Sequence, residues 1–327
     1  MLQSSADKED GTIGHRSRIG AAALYGAALI VAALLALLVL ASLRSTCAGD
    51  GGKTSAAGKS VGKTKKPTAA ATASASPTSS PTVAATGGPK NEPRVYLLGG
   101  SSARECITGN ASWAAQVKKL GGPQVRACDL GASNEGFDQD MVLVRAMPKG
   151  PTLVLIGVSV GRYTGEPGED VNPADPGLTV DSIAEVKHKY HIGKIIPEEG
   201  KQNLVDKWVT TRYPVFQANY EYNAGQLEQL VKLCRQRHVR PVLLELPLNF
   251  DIVGARFDAP RARYRKGVRA LAKRYDIPYL DFGADLGLVN GDFYDLMHLV
   301  EPGRAKWQKR LSEEVVKLLK EYGMGGR

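Results

Sequence analysis

The sequence predicts an α/β fold in which a five-stranded parallel sheet is covered by helices on both faces. Two observations lead to this prediction. Short apolar runs alternate with longer stretches of helical periodicity over residues 93–327, an order typical of parallel strands joined by helical crossovers. The apolar runs are also nearly continuous, as expected for strands that are buried on both faces of a sheet.

The predicted strands end in turn-forming segments rich in Gly, Ser, Asp or Asn. In open parallel sheets, ligands bind beyond the carboxyl ends of the strands. We therefore expect the functional residues of this chain to converge on that edge. The predicted strands cover residues 95–98, 124–128, 152–156, 240–246 and 278–282.

Helical periodicity accounts for most of the sequence between these strands. Residues 164–203 are an exception, because they are irregular, rich in Gly, Pro, Asp and Lys, and too long for a plain connection. We interpret this segment as an insertion that serves as a lid or a binding loop. The predicted helices pass through Trp113 and Val117 and cover residues 138–146, 204–237 (in two pieces) and 259–275. A last helix is predicted to start at Glu301-Pro302-Gly303 and to run through residues 307–319.

The N-terminal third has a different character. After a polar tail, residues 1–19, comes an uncharged run at residues 20–43 dominated by Ala, Leu, Val and Ile. It is long enough to cross a bilayer and too long for an ordinary cleaved signal, which predicts a transmembrane signal anchor. Residues 44–92 are Ala, Thr, Ser, Gly, Pro and Lys, a composition that predicts a disordered linker. A single-pass membrane protein with an extracytoplasmic domain at residues 93–327 is the resulting expectation.

Charge and cysteine usage narrow the range of partners. The formal charge is +10 and is spread along the chain, without a Lys/Arg cluster interleaved with aromatics, so we expect no nucleic-acid partner. An anionic envelope polymer or a plain solvated surface both fit this mild basicity.

The four cysteines contain no Cys-x-x-Cys, and His188 and His191 have no third ligand at useful spacing, so no metal site is predicted. Cys106 and Cys128 remain candidates for either a disulfide or two buried thiols.

The chemistry is predicted from a short stretch near the C-terminus. Asp295 and His298 stand three residues apart, just before the last helix. In such a pair the carboxylate holds one ring nitrogen and leaves the other free to take a proton from a nucleophile. The nucleophile that would complete this set is a serine or a cysteine elsewhere in the chain.

The order of these motifs resembles that of the SGNH (GDSL-type) hydrolase superfamily, over most of residues 94–323. The resemblance implies a flavodoxin-like three-layer α/β/α sandwich, with Asp295 as acid and His298 as base. It implies Ser101 as nucleophile, since Ser101 directly follows the first strand and Gly99-Gly100, with Ser102 as the alternative. It is particularly similar to a membrane-anchored branch that includes the D-alanyl-transfer protein of teichoic-acid modification and the alginate O-acetylation proteins. No cofactor is implied, and the first strand lacks a Gly-x-Gly-x-x-Gly after it.

The chain departs from the superfamily pattern at two positions. Gly100 stands where an aspartate precedes the nucleophile, and Ser159 stands where an asparagine helps to bind the oxyanion. A hydroxyl is a shorter donor than an amide, and loss of one oxyanion donor typically costs about 10²–10³ in rate. The resemblance further implies an oxyanion donor in the turn after the second strand, at either Gly131 or Asn134.

Two functional readings follow. The first is a membrane-anchored extracytoplasmic serine esterase or O-acyltransferase that acts on acyl groups of cell-envelope or exopolysaccharide glycans. Its partners are an acylated glycan or small ester, the lipid bilayer through residues 20–43, and further proteins of an envelope assembly. The second, motivated by Gly100 and Ser159, is a catalytically degenerate domain of the same fold that binds glycan or scaffolds an envelope complex.

Overall fold

The computed structural model describes residues 92–167, 180, 183–185, 187–283 and 285–324. The predicted anchor at residues 20–43 and nearly all of the predicted linker lie outside these ranges. Within them, no helix combines the length and the apolar character that a membrane crossing requires. The membrane anchor and the domain boundaries therefore stay predictions.

Five parallel strands form one sheet in the order β2-β1-β3-β4-β5, which is the predicted flavodoxin-like topology. The first strand lies between the second and the third, so Arg94 is in register with both Arg126 and Thr152. The fold class predicted from the sequence is therefore confirmed. The strands are β1 (Arg94–Leu98), β2 (Arg126–Asp129), β3 (Thr152–Val158), β4 (Arg240–Glu245) and β5 (Tyr279–Leu280).

Eight α-helices occur in the described ranges, and they cover both faces of the sheet. Alternate side chains of β1 separate into two cores: Tyr96 and Leu98 enter one, and Val95 and Leu97 enter the other. Together with the strand order, this sorting makes a three-layer arrangement. The helices are α1 (Ser101–Arg104), α2 (Asn110–Lys119), α3 (Phe137–Ala146), α4 (Glu198–Lys207), α5 (Tyr213–Gln236), α6 (Phe250–Val253), α7 (Asp258–Tyr275) and α8 (Glu301–Glu321).

Each core is closed by its own set of helices. The core on the Tyr96 side contains apolar residues of α3, α5 and α7, among them Phe137, Phe216 and Val268. The core on the Val95 side is closed by Trp113 of α2 and by α8. All seven residues of β3 are buried, as the continuous apolar run predicted for a central strand.

One helix begins earlier than the sequence predicts. Helix α4 begins at Glu198, inside the segment expected to be irregular, because Pro197 precedes a first turn with Glu198 and Glu199, whose charges suit a helix N-terminus. Helix α8 begins at Glu301, as predicted from Glu301-Pro302-Gly303, with Pro302 in its first turn. The predicted division of the long helical stretch is confirmed, since a single π-helical turn, Trp208–Arg212, separates α4 from α5.

None of the three cysteines in the described ranges takes part in a disulfide. A disulfide between Cys106 and Cys128, one of the two options that the sequence left open, is therefore not formed. The buried Cys106 thiol donates a hydrogen bond of 3.0 Å to the carbonyl oxygen of Ser102. Burial raises the pKa of the Cys106 thiol well above its ordinary value, so this thiol is not a nucleophile at neutral pH.

Candidate active site

The nucleophile candidate sits at the end of the central strand pair. Strand β1 ends at Leu98, and Gly99 then turns the chain with a φ of +147°, a conformation that L side chains rarely adopt. A Cβ at Gly99 would also lie 2.9 Å from the Cβ of Ala103. Gly100 is the N-cap of α1 and provides no side-chain cap, so neither Ser101 nor Ser102 has the capping role that a serine often has at this position.

The Asp-x-x-His motif forms a tight loop that is closed by its own backbone. Phe293 and Leu299 pair in an isolated antiparallel bridge, and the amide of Tyr294 donates to the carbonyl oxygen of His298 at 2.8 Å. The buried Asn249 supports the loop from outside, because its amide nitrogen donates to the carbonyl oxygen of Asp295 at 3.2 Å. The loop thus holds the carboxylate and the imidazole in a fixed relation.

Ser101, His298 and Asp295 form one continuous hydrogen-bonded path. The Oγ of Ser101 lies 2.8 Å from Nε2 of His298. On the other side of the ring, Nδ1 of His298 lies 2.8 and 2.9 Å from the two carboxylate oxygens of Asp295. These distances leave Nε2 as the acceptor for the serine proton, provided that Nδ1 carries the ring hydrogen toward the carboxylate.

Asp295 is held as a carboxylate by the loop around it. Its Oδ1 accepts hydrogen bonds from the amides of Met297 and His298, both at 3.0 Å. Burial alone raises the pKa of this carboxyl, but the hydrogen bond from the His298 ring, its charge and the two amides outweigh burial and lower the pKa below the ordinary value. The group that orients the imidazole is therefore ionised at neutral pH.

A cavity of about 550 Å³ opens directly onto the Ser101–His298 pair. Its lining mixes polar and apolar side chains. Asn134 and Ser159 line it, as do Trp208 and Arg212 from the π-helical turn between α4 and α5. A cavity of this size, with convergent polar groups beside a hydrogen-bonded serine, is suited to a small organic substrate or one unit of a polymer.

The oxyanion candidates are not equivalent in the structure. The amide of Gly131 donates to Oδ1 of the buried Asp129 at 2.9 Å, and Gly131 does not line the cavity. Asn134 lines the cavity with a left-handed backbone, φ 60°. Of the two alternatives in this turn, the geometry therefore favours Asn134, because the amide of Gly131 is already used.

Ser159 and Ser102 also line the cavity. Ser159 precedes a short 3₁₀ helix, Val160–Thr164, and its hydroxyl makes no capping hydrogen bond to that helix. Ser102 is buried, and its carbonyl oxygen accepts the Cys106 hydrogen bond, whereas it is Ser101 whose hydroxyl contacts the imidazole. The structure thus brings Ser101, rather than Ser102, together with His298.

Arg104 and Arg162 are buried beside the site. Arg162 donates to Asp140 and to the carbonyl oxygen of Gly157, both at 2.8 Å. Arg104 contacts Glu105 and the hydroxyl of Ser133. Their charges are compensated in the interior, because their partners Asp140 and Glu105 are themselves fully buried.

The side chain of Glu135 contributes a carboxyl group to the cavity lining. Burial, followed by repulsion from the Asp140 carboxylate, raises the pKa of Glu135 to about 9. A neutral Glu135 carboxyl can donate a hydrogen bond into the cavity at neutral pH, which a carboxylate cannot do. No motif in the sequence pointed to this residue.

A second set of residues that sequence reasoning missed packs behind the imidazole. The ring of Tyr190 lies 4.5 Å from that of His298 between centroids, at a tilt of 38°. Glu105 and Arg304 form a buried ion pair next to it. Their contacts join segments 84 to 199 residues apart, so they leave no local sequence pattern.

The described residues contain no group of three or more His, Cys, Asp or Glu side chains able to hold a metal ion. The two histidines considered in the sequence instead face carboxylates. Nδ1 of His188 lies 3.3 Å from Glu105, and Nδ1 of His191 lies 3.6 Å from Glu301. Both histidines thus lie on the segment that packs beside the site.

Comparison with known proteins yields structural matches only, since neither a protein-family profile nor a curated protein sequence matches the chain. A lipolytic protein of the G-D-S-L family from Veillonella parvula matches at 12% identity and a TM-score of 0.41, covering 69% of this chain and 98% of its own. Acetylxylan esterase from Geobacillus stearothermophilus matches at 12% and 0.42, with 73% and 97% covered. A lipase/acylhydrolase from Enterococcus faecalis matches at 10% and 0.38, with 70% and 96% covered.

These names belong to the superfamily that the motif order resembles. At such identities and TM-scores the similarity concerns the fold, and no residue role in this chain is taken from it. The membrane-anchored branch is not among the matches described, and assignment to it stays a prediction.

Proposed function

We propose that this protein is a serine hydrolase of the SGNH type that cleaves or transfers acyl groups carried as esters. The observation that carries the proposal is the unbroken path from Asp295 through His298 to the Ser101 hydroxyl, which ends at a cavity. A serine that merely caps a helix or fills a core has no need of an imidazole at 2.8 Å with an oriented carboxylate behind it.

The geometry supports the following acylation step. The Ser101 Oγ attacks the ester carbonyl while Nε2 of His298 takes its proton. Asp295 keeps the imidazole oriented and stabilises the imidazolium that forms, without itself taking a proton. The imidazolium then protonates the leaving alcohol, which departs and leaves an acyl-serine.

Donors around the cavity support stabilisation of the oxyanion. The Ser101 amide lies in the first turn of α1, and Asn134 and Ser159 line the same cavity. We assign the oxyanion to the Ser101 amide, Asn134 and Ser159. Ser159 is the weakest of the three, because a hydroxyl must rotate to donate whereas an amide is fixed.

The second step needs an acceptor for the acyl group. His298, again neutral, takes a proton from water or from a sugar hydroxyl, and that oxygen attacks the acyl-serine. Hydrolysis and transfer thus use the same residues and differ in the acceptor. We propose a glycan of the cell envelope or an exopolysaccharide as the acyl carrier, on the strength of the mixed polar and apolar cavity and the sequence resemblance.

We further propose that the domain acts outside the cell membrane, anchored by residues 20–43 and separated from the bilayer by the linker at residues 44–92. The uncharged apolar run and the Ala/Thr/Ser/Pro/Lys composition support this arrangement. Removal of residues 20–43 is expected to shift the protein from the alkali-resistant membrane fraction to the supernatant. Retention in the membrane fraction after this deletion would contradict the anchor.

Hydrolysis of p-nitrophenyl acetate by the full-length, detergent-solubilised protein tests the reaction class. Ser101→Ala and His298→Ala are each expected to abolish enzymatic turnover, while Ser102→Ala, a neighbouring serine without an imidazole contact, retains it. Equal turnover by Ser101→Ala and wild-type protein would overturn the proposal. A dead Ser102→Ala beside an active Ser101→Ala would move the nucleophile by one residue.

The same purified protein distinguishes the esterase from the alternative function, a catalytically degenerate domain that binds glycan. If the protein binds an acetylated envelope glycan but releases no acetate and transfers none to an added alcohol, binding is the function. Acetate release that disappears in Ser101→Ala supports the esterase. Acyl transfer to an added sugar, at the expense of free acetate, supports the transferase.

A further inference from the structure

Tyr190 forms one side of the pocket that holds the catalytic imidazole. Its ring is stacked on Tyr294 at 4.2 Å between centroids and tilted against His298 at 4.5 Å. Tyr294 belongs to the same tight loop as His298, so Tyr190 packs against two residues of that loop at once. The imidazole therefore has an aromatic neighbour on one face and hydrogen bonds at both nitrogens.

The backbone around Tyr190 is fixed by a buried ion pair. Arg304 of α8 donates to the carbonyl oxygen of Tyr190 at 2.6 Å and pairs with the carboxylate of Glu105. Oε1 of Glu105 accepts a hydrogen bond of 3.1 Å from the amide of Lys189, and Nδ1 of His188 lies 3.3 Å from Oε2. Residues 188–190, which we call the strap, are thus tied to the residues that follow Ser101 and to the helix that follows His298.

The ion pair is well placed for this anchoring role. The side chains of Glu105 and Arg304 are 0% and 1% exposed. Burial alone raises the pKa of Glu105, but the contacts with His188, the Lys189 amide, Arg104 and Arg304 bring it down to about 2. The charge pair therefore persists at neutral pH, shielded from solvent competition, and holds the strap on the site.

We propose that Tyr190 is a positioning residue for His298, held in place by the strap and its Glu105–Arg304 anchor. The proposal rests on the proposed function, in which His298 is the general base. The Tyr190 ring restricts rotation of the imidazole about its Asp295 hydrogen bond. It also presents its π face to the ring that becomes positively charged when the Ser101 proton is transferred. Both effects act on the chemical step and not on substrate binding, since Tyr190 is not among the cavity-lining residues.

Three substitutions of Tyr190 distinguish the contributions of its aromatic ring, its hydroxyl and its side-chain volume. Tyr190→Phe keeps the ring and is expected to retain the wild-type kcat. Tyr190→Leu keeps bulk without a π face, and Tyr190→Ala removes both. We expect kcat to fall roughly tenfold in Tyr190→Ala, with a smaller loss in Tyr190→Leu, and KM to stay within about twofold throughout.

The experiment measures kcat and KM for p-nitrophenyl acetate, and the rate of fluorophosphonate labelling, on the full-length protein in detergent. Ile192→Ala is the matched control, because Ile192 lies two residues further along and its side chain is largely exposed. We expect Ile192→Ala to label at the wild-type rate and Tyr190→Ala to label about tenfold more slowly, with thermal midpoints compared for all variants.

The outcomes are distinguishable. Absence of labelling in the folded wild-type protein would overturn the proposed function and this inference with it. Normal wild-type labelling with an equally fast Tyr190→Ala would overturn the inference alone. A slow Tyr190→Phe would also overturn it, because the ring would then not be the group that matters. If Tyr190→Ala unfolds, the folded Tyr190→Leu and Tyr190→Phe decide between these results.

Discussion

At the scale of single residues, the Asp295 carboxylate is the group on which the orientation of His298 depends. It accepts the ring hydrogen through both oxygens and is itself held by two backbone amides. These contacts lie within four residues, so the motif that contains them is local and was readable in the sequence. The nucleophile Ser101 lies 197 residues from His298. It was predicted from the superfamily resemblance and from its place after a strand, since parallel strands bring their carboxyl ends to one edge.

Asp295→Asn tests this orienting role. An amide at this position can donate to the ring nitrogen, which favours the tautomer with its hydrogen on Nε2, and a ring in that state no longer accepts the serine proton. We expect kcat to fall by a factor on the order of 10⁴ with little change in the thermal midpoint. Turnover within about tenfold of wild type would contradict the assignment of Asp295.

Ser159→Ala tests the weakest of the assigned oxyanion donors. Loss of its hydroxyl is expected to lower kcat by about ten- to a hundredfold and to leave KM nearly unchanged, because an oxyanion exists only along the reaction path. Thr164→Ala is the matched control, since the Thr164 hydroxyl also lies at the cavity but donates to the carbonyl oxygen of Gly161 at 2.8 Å. Equal effects of both substitutions would remove Ser159 from the oxyanion site.

In the turn after β2, the sequence did not decide between two oxyanion candidates. Gly131 and Asn134 were equally compatible with the sequence pattern, because the pattern does not say which amide points at the cavity. That direction depends on Asp129, whose Oδ1 accepts the hydrogen bond of the Gly131 amide. The choice is therefore made by a side chain outside the motif, through a contact that no spacing rule describes.

At the scale of elements, the approach of α8 to the Asp-x-x-His loop depends on Gly303 in its first turn. A Cβ at Gly303 would lie 2.7 Å from the carbonyl oxygen of Asp292 and 2.9 Å from Cδ2 of Leu299. The nearer of these atoms is backbone, so the helix start would have to move away from the loop that carries His298. Close packing of the helix start against the loop thus explains a glycine where helix propensity disfavours one.

Gly303→Ala is expected to lower the free energy of unfolding by about 1–3 kcal/mol through this overpacking. Gly291→Ala is the matched control, since no neighbouring atom lies within 4 Å of the Cβ position there, and it is expected to change stability by less than about 0.5 kcal/mol. Denaturant titration of both variants measures the difference. Equal stability of the two would show that α8 relaxes without cost.

The strap is the element that the sequence did not reveal. Residues 164–203 were recognised as an insertion from their length and composition, and a lid or binding loop was the expected role. Sequence periodicity offers no sign that Tyr190 packs on His298, because the contact is made by a non-helical segment. Its anchor residues are distant in sequence, with Glu105 directly after α1 and Arg304 in α8. A buried Glu and Arg are also atypical, so neither was expected in the interior.

At the scale of the whole folded domain, the Glu105–Arg304 ion pair makes the free energy of unfolding of the domain depend on pH. The folded-state pKa of Glu105, about 2, lies below the ordinary value of 4.5. The stabilisation is therefore fully present above about pH 4.5 and is lost as the pH falls toward 2. The burial of the pair between the N-terminal and C-terminal parts of the fold makes this a global and not a local effect.

Glu105→Gln tests the linkage. At neutral pH this variant removes the buried carboxylate that pairs with Arg304 and Arg104, and only the more exposed Glu301 remains paired with Arg304, so we expect a clearly lower thermal midpoint than wild type. The difference should shrink as the pH is lowered from 4.5 to 2, because wild-type Glu105 becomes neutral as well. Asp206→Asn, which removes a largely exposed carboxylate paired with Arg256, is the control and should show little difference at any pH. A constant gap between Glu105→Gln and wild type would contradict the linkage.

The overall topology was the most predictable property of the chain. Continuous apolar runs such as that of β3 and glycine-containing turns after β1 define a parallel sheet with few alternatives. The shortness of β5 was not predictable, because only Leu243 and Leu244 of the longer strand β4 pair with it, and no sequence pattern specifies where an edge strand leaves the ladder.

Fluorophosphonate labelling of the full-length protein, mapped by peptide mass spectrometry, tests the central claim most directly. We expect one label per chain, on Ser101, that is lost in His298→Ala although this variant remains folded. Such a result would mean that the Ser101–His298 contact activates the serine. A folded wild-type protein that takes no label, or a label on Ser101 that survives in His298→Ala at the same rate, would contradict the account.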